Sequence, residues 1–457
     1  MDRFDIVVIG GGPAGTRAAE RAASNDADVI VLEKGVPRAD REHLGPDSTD
    51  AAGMLDYWVD IMDIPFEEIP DEIVLRELSG TEFIGPQNTC TLYSTGMKAS
   101  YDGFGFTFHR AKMDDWLRKR AEAAGAQYNV GTQVTSLETD LTGSPRHTIT
   151  LGSGDELGAE YVICADGPQR TVTLRALDQF LPDDQSAATV IGPRTANHIA
   201  YQEYRDFPAE LFDPEMLKFW WGYIPGETAY PWVFPNDGTV ARVGLTMPMA
   251  IDLETVEARE SYVLLEADDD TVPSGAVYLE RLLQHVYGDA YSVPDDFPLV
   301  EDRGKSGGTE AYAISSTRPI DSPTGAGIAV VGGAMGTTSA FHEGGYHVAA
   351  RTGAIAGELA ATDRLSAYNN EWKRVIGDEI LRNVSFAELV KDFTPVEWDR
   401  AFGIANRMVG DASEDALLRR RLSAGPGAIK ALLKYRWVKR RYRNGKYVQL
   451  HEDEYTV

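Results

Sequence analysis

The chain has 457 residues, 43% of them apolar, and its 71 acidic residues outweigh 44 basic ones for a net charge of −27. Such a length implies two or three packed units, and the sign of the charge excludes nucleic acid as a partner. The only two cysteines, Cys90 and Cys164, stand far apart and outside any CxxC spacing, which excludes a disulfide framework, a zinc site and an iron–sulfur site and leaves redox work to a bound cofactor. Only 12 of the basic residues are lysine, and an acidic, Lys-poor surface of this kind suits a salt-rich cytoplasm. No apolar run approaches the roughly 18–20 residues that span a bilayer, and a strand begins within a few residues of Met1 in place of a basic, apolar leader. A cytoplasmic location is therefore expected.

In chain order, FDIVVI (4–9) predicts a buried strand, Gly10 to Gly15 a turn, residues 14–24 an Ala-rich helix, and VIVLEK (29–34) a second strand. An irregular stretch, 36–100, follows. Residues 108–125 have helical spacing, with Met113, Trp116 and Leu117 on one face and Gly125 as the stop. Three strand-like runs come next, at 132–138, 147–152 and 159–167. Residues 196–250 alternate and are rich in aromatics, as in an antiparallel sheet; 251–300 look helical and acidic. A buried strand returns at 327–333, and the remainder is expected to be helical.

GGGPAG sets glycines at 10, 12 and 15 between a strand and a helix. The first allows the tight turn, the second lets backbone approach a pyrophosphate, and the third lets helix pack on strand, with the helix N-terminus facing the anion. Glu33 ends the second strand about twenty residues on, where a carboxylate accepts both ribose hydroxyls of an adenosine. The motif suits FAD or NAD(P). Because no second copy occurs between a strand and a helix, a tightly held FAD with a transient external donor fits better, the donor being reduced ferredoxin or NAD(P)H.

GGGPAG, FHRAKMDDWL (108–117), VICADGPQR (162–170) and the loop 327–345 together resemble the single-Rossmann FAD proteins that include aromatic hydroxylases and geranylgeranyl reductases. The resemblance runs over residues 1 to about 360. It implies that Arg110 lies over the FAD, that Asp166-Gly167 flank it, and that Gly344-Gly345 begin a helix aimed at the flavin ring, where backbone N–H groups favour the anionic reduced form. The expected cofactor set is Gly10, Gly12, Pro13, Ala14, Gly15, Glu33, Lys34, Arg41, Arg110, Val134, Asp166, Gly167, Gly333, Gly344 and Gly345. Two positions depart from the family. Gly333 stands where an Asp holds a ribityl hydroxyl, a loss of about 1.5–3 kcal/mol that predicts weaker or more exchangeable flavin. Leu44 precedes Gly45 where archaeal members often carry Cys-Gly, so a mechanism leaning on that cysteine is not available.

The most specific match is Tyr230-Pro231-Trp232-Val233-Phe234-Pro235, which resembles the YxWxFP stretch of geranylgeranyl reductases. Alternation places Phe219, Trp221 and Tyr223 on one face of a strand and Tyr230, Trp232 and Phe234 on one face of the next. Two aromatic rows beside a flavin make an apolar slot that a polyprenyl chain could fill, at about 0.8 kcal/mol per methylene; packed core of an inserted sheet is the plainer alternative. Geranylgeranyl reductases move a hydride from reduced flavin to one alkene carbon while a proton reaches the other, so a proton source is needed in a dry pocket. Tyr230, Trp232, His342 and Glu343 are the catalytic candidates, with Tyr230, His342 and Glu343 as donors.

Residues 419–446 reverse the sign of the chain, with 11 Lys and Arg and no acid, leaving −38 on the remainder. Ile429, Leu432, Leu433 and Trp437 lie among them. A membrane-surface contact at the inner face, a clamp onto the acidic body and a dock for an acidic electron carrier such as ferredoxin all fit this pattern.

The expected architecture is α/β: a Rossmann-type, aromatic-hydroxylase-like FAD domain (1–175 and 301–360), an inserted antiparallel-sheet substrate domain (176–300), and a C-terminal helical region (361–457) carrying the basic tail. The expected function is FAD-dependent saturation of C=C bonds in geranylgeranyl or other isoprenoid chains of archaeal membrane lipids or of a prenyl-quinone. A flavin monooxygenase of the aromatic-hydroxylase type, a FixC-like electron-transfer flavoprotein to quinone and a non-catalytic flavoprotein are the alternatives.

Overall fold

A computed structural model describes residues 1–36, 51–193, 196–409 and 425–457. The chain opens with β1 (Asp2–Ile9), α1 (Pro13–Ala23) and β2 (Val29–Glu33), the two strands parallel and paired from Ile6 on Val29 to Ile9 on Leu32. β3 (Gly53–Leu55), α2 (Asp56–Met62), β4 (Val74–Leu78), β5 (Gly80–Ile84), β6 (Thr89–Leu92) and β7 (Gly105–Phe108) follow. α3 (Arg110–Ala124) buries Met113 and Leu117 and stops at Gly125, whose φ of 112° is left-handed. Then come β8 (Gln127–Val130), β9 (Val134–Thr139), β10 (His147–Leu151), β11 (Glu156–Cys164), α4 (Thr171–Asp178) and a single turn, α5 (Ala187–Val190). β12 (His198–Asp206), β13 (Met216–Trp220), β14 (Tyr230–Pro235) and β15 (Val240–Pro248) precede α6 (Gly275–Tyr287) and the short α7 (Val293–Asp296). The last elements are β16 (Thr309–Ile314), β17 (Ile328–Val330), α8 (Gly332–Met335), α9 (Tyr346–Ala361), α10 (Tyr368–Val390), α11 (Pro395–Val409) and α12 (Gly425–Tyr442).

Three sheets organise these elements. The first runs β8-β2-β1-β11-β10-β9, with β17 parallel to the far end of β11, and carries the largest core. The second runs β16-β12-β15-β14-β13-β5-β6, antiparallel except where β13 meets β5; the third is the small sheet β3-β7-β4. The second sheet separates two apolar clusters: Trp220, Val233, Val243 and Leu245 face α6, while Trp221, Tyr230, Trp232 and Phe234 face the nucleotide side.

The placement of α9 decides where the site lies. A Cβ on Gly353 would stand 1.8 Å from the Ala14 carbonyl oxygen, and one on Gly357 2.0 Å from that of Ala18. Two glycines four apart thus let α9 lie backbone to backbone on α1, the two helices parallel. Because Gly353 sits beside the start of α1, the first turns of α9 overhang it by about 9 Å. That overhang carries the N-terminus of α9 from the opening turn towards the second sheet.

The expected boundaries are corrected in three places. The second sheet is not confined to 176–300: β5 and β6 reach it from residues 80–92, and β16 from 309–314. Helix does not continue to the end, since residues beyond Tyr442 return to the nucleotide domain, where Leu450 is fully buried and the Tyr455 hydroxyl donates to the Asp321 carbonyl at 2.8 Å. β13 ends at Trp220, and Gly222, at φ 78°, turns the chain. Tyr223 therefore packs in the opposite core, edge-on to His285, and not beside Phe219 and Trp221.

Candidate active site

The opening turn has the geometry of a dinucleotide cradle. A Cβ on Gly10 would meet the Ala165 carbonyl oxygen at 2.3 Å and one on Gly15 the Gly10 carbonyl oxygen at 1.9 Å, so both positions demand glycine. A Cβ on Gly12 would meet nothing within 4 Å; this residue is the N-cap of α1, with no side chain satisfying the helix amides and Pro13 in the first turn. An open face with unsatisfied N–H groups is what a pyrophosphate needs. Ala14 and Gly15 are buried in the first turns behind it. Glu33 reaches back over the turn: its Oε2 accepts from Gly11 N and its Oε1 from Gly35 N, both at 2.6 Å. Lys34 beside it is exposed. Val134 is buried in the core, while Gly131 and Thr132 just before it donate to the Gly35 and Glu33 carbonyls, so this segment borders the ribose carboxylate. Arg41, Leu44 and Gly45 lie outside the described residues.

Asp166 is placed differently from a simple cofactor flank. Its Oδ2 accepts from Val172 N at 2.7 Å and Thr173 N at 3.1 Å, and its Oδ1 from the Thr173 hydroxyl, so the carboxylate caps α4. The Ala165–Asp166 backbone lies against Gly10, and Gly167, at φ 74°, continues past it. At the other end of the cradle, Gly345 is the N-cap of α9, again with no capping side chain. Arg110 pairs with Asp114 at 2.9 Å and lies over the Tyr346 ring at 4.6 Å, and the Tyr346 hydroxyl donates to the same Asp114. This ties the first turn of α3 to that of α9.

Between the α9 N-terminus and the second sheet is a cavity of about 510 Å³. Phe219, Trp221, Tyr230, Trp232 and Phe234 form its sheet wall, and Phe83, Phe341 and Phe386 extend it. The wall is ordered by ring contacts: Trp221 stacks on Tyr230 at 4.3 Å, and Phe219 meets Tyr230 and Phe234 edge-on. Trp232 fits because its partner strand offers Gly244, where a Cβ would fall 2.4 Å from the indole. The volume is of the size that small-molecule sites have, and its lining is overwhelmingly apolar.

The few polar groups on this lining define its chemistry. The Tyr230 hydroxyl donates to the His342 carbonyl at 2.7 Å, and full burial beside Glu343 holds the phenol well above its usual range. Desolvation of the His342 ring, helped by nearby Arg382, pushes its imidazole down to about 3 and favours the neutral form; its Nδ1 accepts from Gly344 N at 3.2 Å. Glu343 accepts from the Thr228 hydroxyl at 3.1 Å and from Thr246, and its Oε1 lies 3.4 Å from His198 Nε2. Burial raises its carboxyl above the usual range.

Six residues in this region, none of them a candidate from the sequence, carry no local sequence signal. His198 opens β12, a hundred and more residues from the loop it meets. Trp58 on α2 stacks on His347 at 4.2 Å and on His342 at 4.9 Å. Trp58 Nε1, His342 Nε2 and both His347 ring nitrogens are buried and have no partner among the described residues. Polar atoms left bare at the α9 end of the cavity fit a heteroaromatic ring system there. Tyr57 and Arg382 lie on the same lining and form a part-buried cluster with Glu379 behind them, the Arg382 guanidinium donating to the Tyr57 hydroxyl at 3.0 Å and pairing with Glu379.

Gly333 lies in the turn of α8, where its Cβ would meet Pro168 at 3.4 Å, an ordinary contact, and its φ is not left-handed. Gly332 before it, at φ 59°, would drive a Cβ to 2.8 Å from Ala14. An acid is therefore tolerated at 333 and not at 332. Buried Arg170, whose Nη2 lies 3.4 Å from the Gly333 carbonyl, adds a favourable charge. Gly333→Asp should tighten FAD by about 10- to 100-fold, the worth of one charge-assisted hydrogen bond. Titration of apoprotein with FAD, followed by fluorescence, checks this; unchanged affinity would mean that the side chain does not reach the ribityl chain.

Residues 4–53 match the family model described as pyridine nucleotide-disulphide oxidoreductase. Over 414 residues the chain is 24% identical to digeranylgeranylglycerophospholipid reductase 1 of Methanosphaera stadtmanae, covering 89% of each chain. It is 25% identical over 445 residues to digeranylgeranylglycerophospholipid reductase 1 of Methanothermobacter thermautotrophicus, covering 95% of this chain and 98% of that one. Among solved structures it superposes on a geranylgeranyl bacteriochlorophyll reductase-like protein from Thermoplasma acidophilum with a TM-score of 0.67 at 20% identity, covering 95% of this chain and all of the other, a likeness of fold. With a cradle shaped for a dinucleotide, a cavity at the overhanging helix end and relatives that match along nearly the whole chain, this protein is an FAD-dependent oxidoreductase similar to the digeranylgeranylglycerophospholipid reductases.

Proposed function

We propose that the enzyme saturates isolated C=C bonds in the geranylgeranyl or other isoprenoid chains of membrane lipids. The observation that carries this is the cavity: a wall of aromatic rings runs from the N-terminus of α9 along the second sheet, with a single short stretch of acid and imidazole groups at one end. A polyprenyl chain offers no hydrogen bonds, so its recognition must come from apolar area and shape, which this wall supplies. Gly10, Gly12, Pro13, Ala14 and Gly15 would hold the FAD pyrophosphate, Glu33 the ribose, and Arg110 with the open N-terminus of α9 behind Gly344–Gly345 the flavin end. FAD, once reduced by ferredoxin or NAD(P)H, supplies the hydride. The protein's share is to exclude water from the alkene, hold it against the aromatic wall, and deliver a proton. Anaerobic incubation of the chemically reduced holoenzyme with a digeranylgeranyl glycerophospholipid, followed by lipid mass spectrometry, tests the assignment. A gain of two hydrogens per double bond is expected; an unchanged lipid with oxygen uptake on adding air and an aromatic substrate would point to the monooxygenase alternative.

The basic segment is proposed to rest on an anionic lipid surface. Residues 419–424 lie outside the described residues, but α12 packs on α10 through Val438 and through Tyr435, which stacks on the cavity-lining Phe386 at 4.8 Å. Its opposite face presents Leu432, Leu433 and Trp437, at 49%, 59% and 63% exposure, among Arg436, Arg440 and Arg443. Among the described residues its one ion pair to the body is Arg441 with Glu388, at 4.0 Å, which is little for an intramolecular clamp. Leucine, tryptophan and arginine on one outward face are the groups that enter an interface between anionic headgroups and acyl chains. The double variant Leu433→Glu, Trp437→Glu should lower sedimentation with anionic vesicles at least tenfold, and unchanged sedimentation would remove the lipid contact.

A further inference from the structure

Glu343 is the residue of the site that packing explains least. Its φ is +58°, in the left-handed region that glycine occupies freely and other side chains seldom do, although the two residues after it are glycines. Its carboxyl is 2% exposed in the wall of an apolar cavity. The residue it bonds, Thr228, is also left-handed, at φ +53°. Two unfavourable backbones that meet through a buried acid mark a function more readily than an architecture.

Behind the acid is an imidazole. His198 Nε2 lies 3.4 Å from Glu343 Oε1, 3.1 Å from the Glu227 carbonyl oxygen and 3.5 Å from the Thr228 hydroxyl, and its Nδ1 has no partner among the described residues. Gly226 and Glu227, which cover it, are exposed. The pair thus reaches from the cavity wall to a solvent-facing turn. The other polar groups that line the cavity here are poorer acids: the Tyr230 hydroxyl is spent on the His342 carbonyl, and the His342 ring is neutral with Nδ1 accepting from Gly344.

We infer that Glu343 protonates the alkene carbon opposite the one that receives hydride, and that His198 returns a proton to Glu343 from the 226–227 turn; this rests on the reductase assignment above. In the step, the C=C π pair takes the carboxyl proton as one C–H bond forms and the O–H bond of Glu343 breaks. The hydride delivered from the reduced flavin forms the second C–H bond and leaves the cofactor oxidised by two electrons. The imidazolium of His198 then reprotonates the carboxylate and is itself recharged by water. Glu343 is the catalytic acid in this scheme, and His198 acts through it.

The groups that face the Glu343 carboxyl are His198 on β12, Thr228, Tyr230 on β14 and Thr246 on β15. Burial favours its protonated form, so the acid is present at low pH and withdrawn as pH rises through its ionisation. The rate of alkene reduction should therefore fall on the alkaline side. A positive His198 opposes that burial effect, so His198→Asn should move the alkaline limb to higher pH.

The test follows reoxidation of chemically reduced, full-length holoenzyme by a geranylgeranyl glycerophospholipid in micelles, from pH 5 to 9. Glu343→Gln should slow this step about 100- to 10,000-fold, the usual contribution of a positioned acid, and abolish the alkaline limb while flavin content and lipid KM stay unchanged. Glu343→Gly, which suits the left-handed backbone, should fold as well and lose the same rate. Infrared difference spectra recorded as pH is lowered through the range should show a protonated buried carboxyl in the native protein that is missing from Glu343→Gln. Native-like rates in both variants, or no such band, would overturn the inference and leave the reductase assignment standing. Failure of the native enzyme to be reoxidised by the lipid would sink the assignment itself.

Discussion

Gly12→Asp should yield a folded, colourless protein. The backbone at Gly12 has φ −72°, open to any residue, and a Cβ there meets no atom within 4 Å. The carboxylate would nonetheless project into the space in front of the unsatisfied amides of α1, occupying the pyrophosphate position and repelling its charge. FAD affinity is expected to drop at least about 100-fold, since a helix-end anion site is lost and a like charge added, while circular dichroism and thermal midpoint stay near native. Gly15→Val, three residues on, should fail in the opposite manner: its Cβ would lie 1.9 Å from the Gly10 carbonyl oxygen, so the turn itself must break. Two neighbouring glycines of one motif thus separate a binding role from a packing role. Retention of yellow colour by Gly12→Asp at native affinity would show that the cofactor does not enter over this turn.

What could be read from the residues alone follows the range of the interactions involved. The β1–α1–β2 unit is local, and its strand, glycine and acid signals all agree, so it was legible to within a residue or two at each boundary. The alternation of Tyr230, Trp232 and Phe234 was legible for the same reason: strand periodicity of two sends all three to one face, and Val233 to the other. Alternation carried one residue too far gave the error at Tyr223, because β13 stops at Trp220 and Gly222 takes a left-handed turn that no pattern of apolar residues announces. Sheet membership was less accessible still. β5 joins β13 in parallel across more than a hundred residues, and such pairing depends on where the second sheet leaves an edge at β13, not on the composition of residues 80–84.

The acid–base groups show the same limit more sharply. His342 and Glu343 are legible in the sequence as candidate proton donors, but the chemistry of each is set by burial and by partners from elsewhere: Arg382 on α10 bears on His342, and His198 on β12 bears on Glu343. No spacing in the sequence links these pairs. The Gly333 departure, by contrast, was visible at once, and the fold adds that its neighbours have left room for the missing acid.

Phe219→Asp should abolish isoprenoid turnover and leave the flavin in place. Phe219 stands at the centre of the aromatic wall, 5.6 Å from Phe83, 5.6 Å from Tyr230 and 5.4 Å from Phe234 between ring centroids, and it is only partly buried because one side borders the cavity. In the empty enzyme a carboxylate at this position is hydrated by water in the cavity, so the loss of ring contacts, about 1–3 kcal/mol in all, is the main cost and falls within the margin of an ordinary fold. A polyprenyl chain entering the slot would strip that water and leave the charge without a counter-ion, which costs several kcal/mol more. Each 1.4 kcal/mol is a factor of ten, so kcat/KM for the lipid should fall at least about 100-fold. Flavin reduction by a small chemical donor needs no chain in the slot and should proceed at the native rate. Phe219→Leu keeps the apolar lining and trims only the ring, so it should cost less than tenfold, which separates the loss of shape from the introduction of charge. If the aspartate variant still reduced the lipid at a near-native rate, the aromatic wall would be packed core and the chain would have to approach the α9 N-terminus by another face.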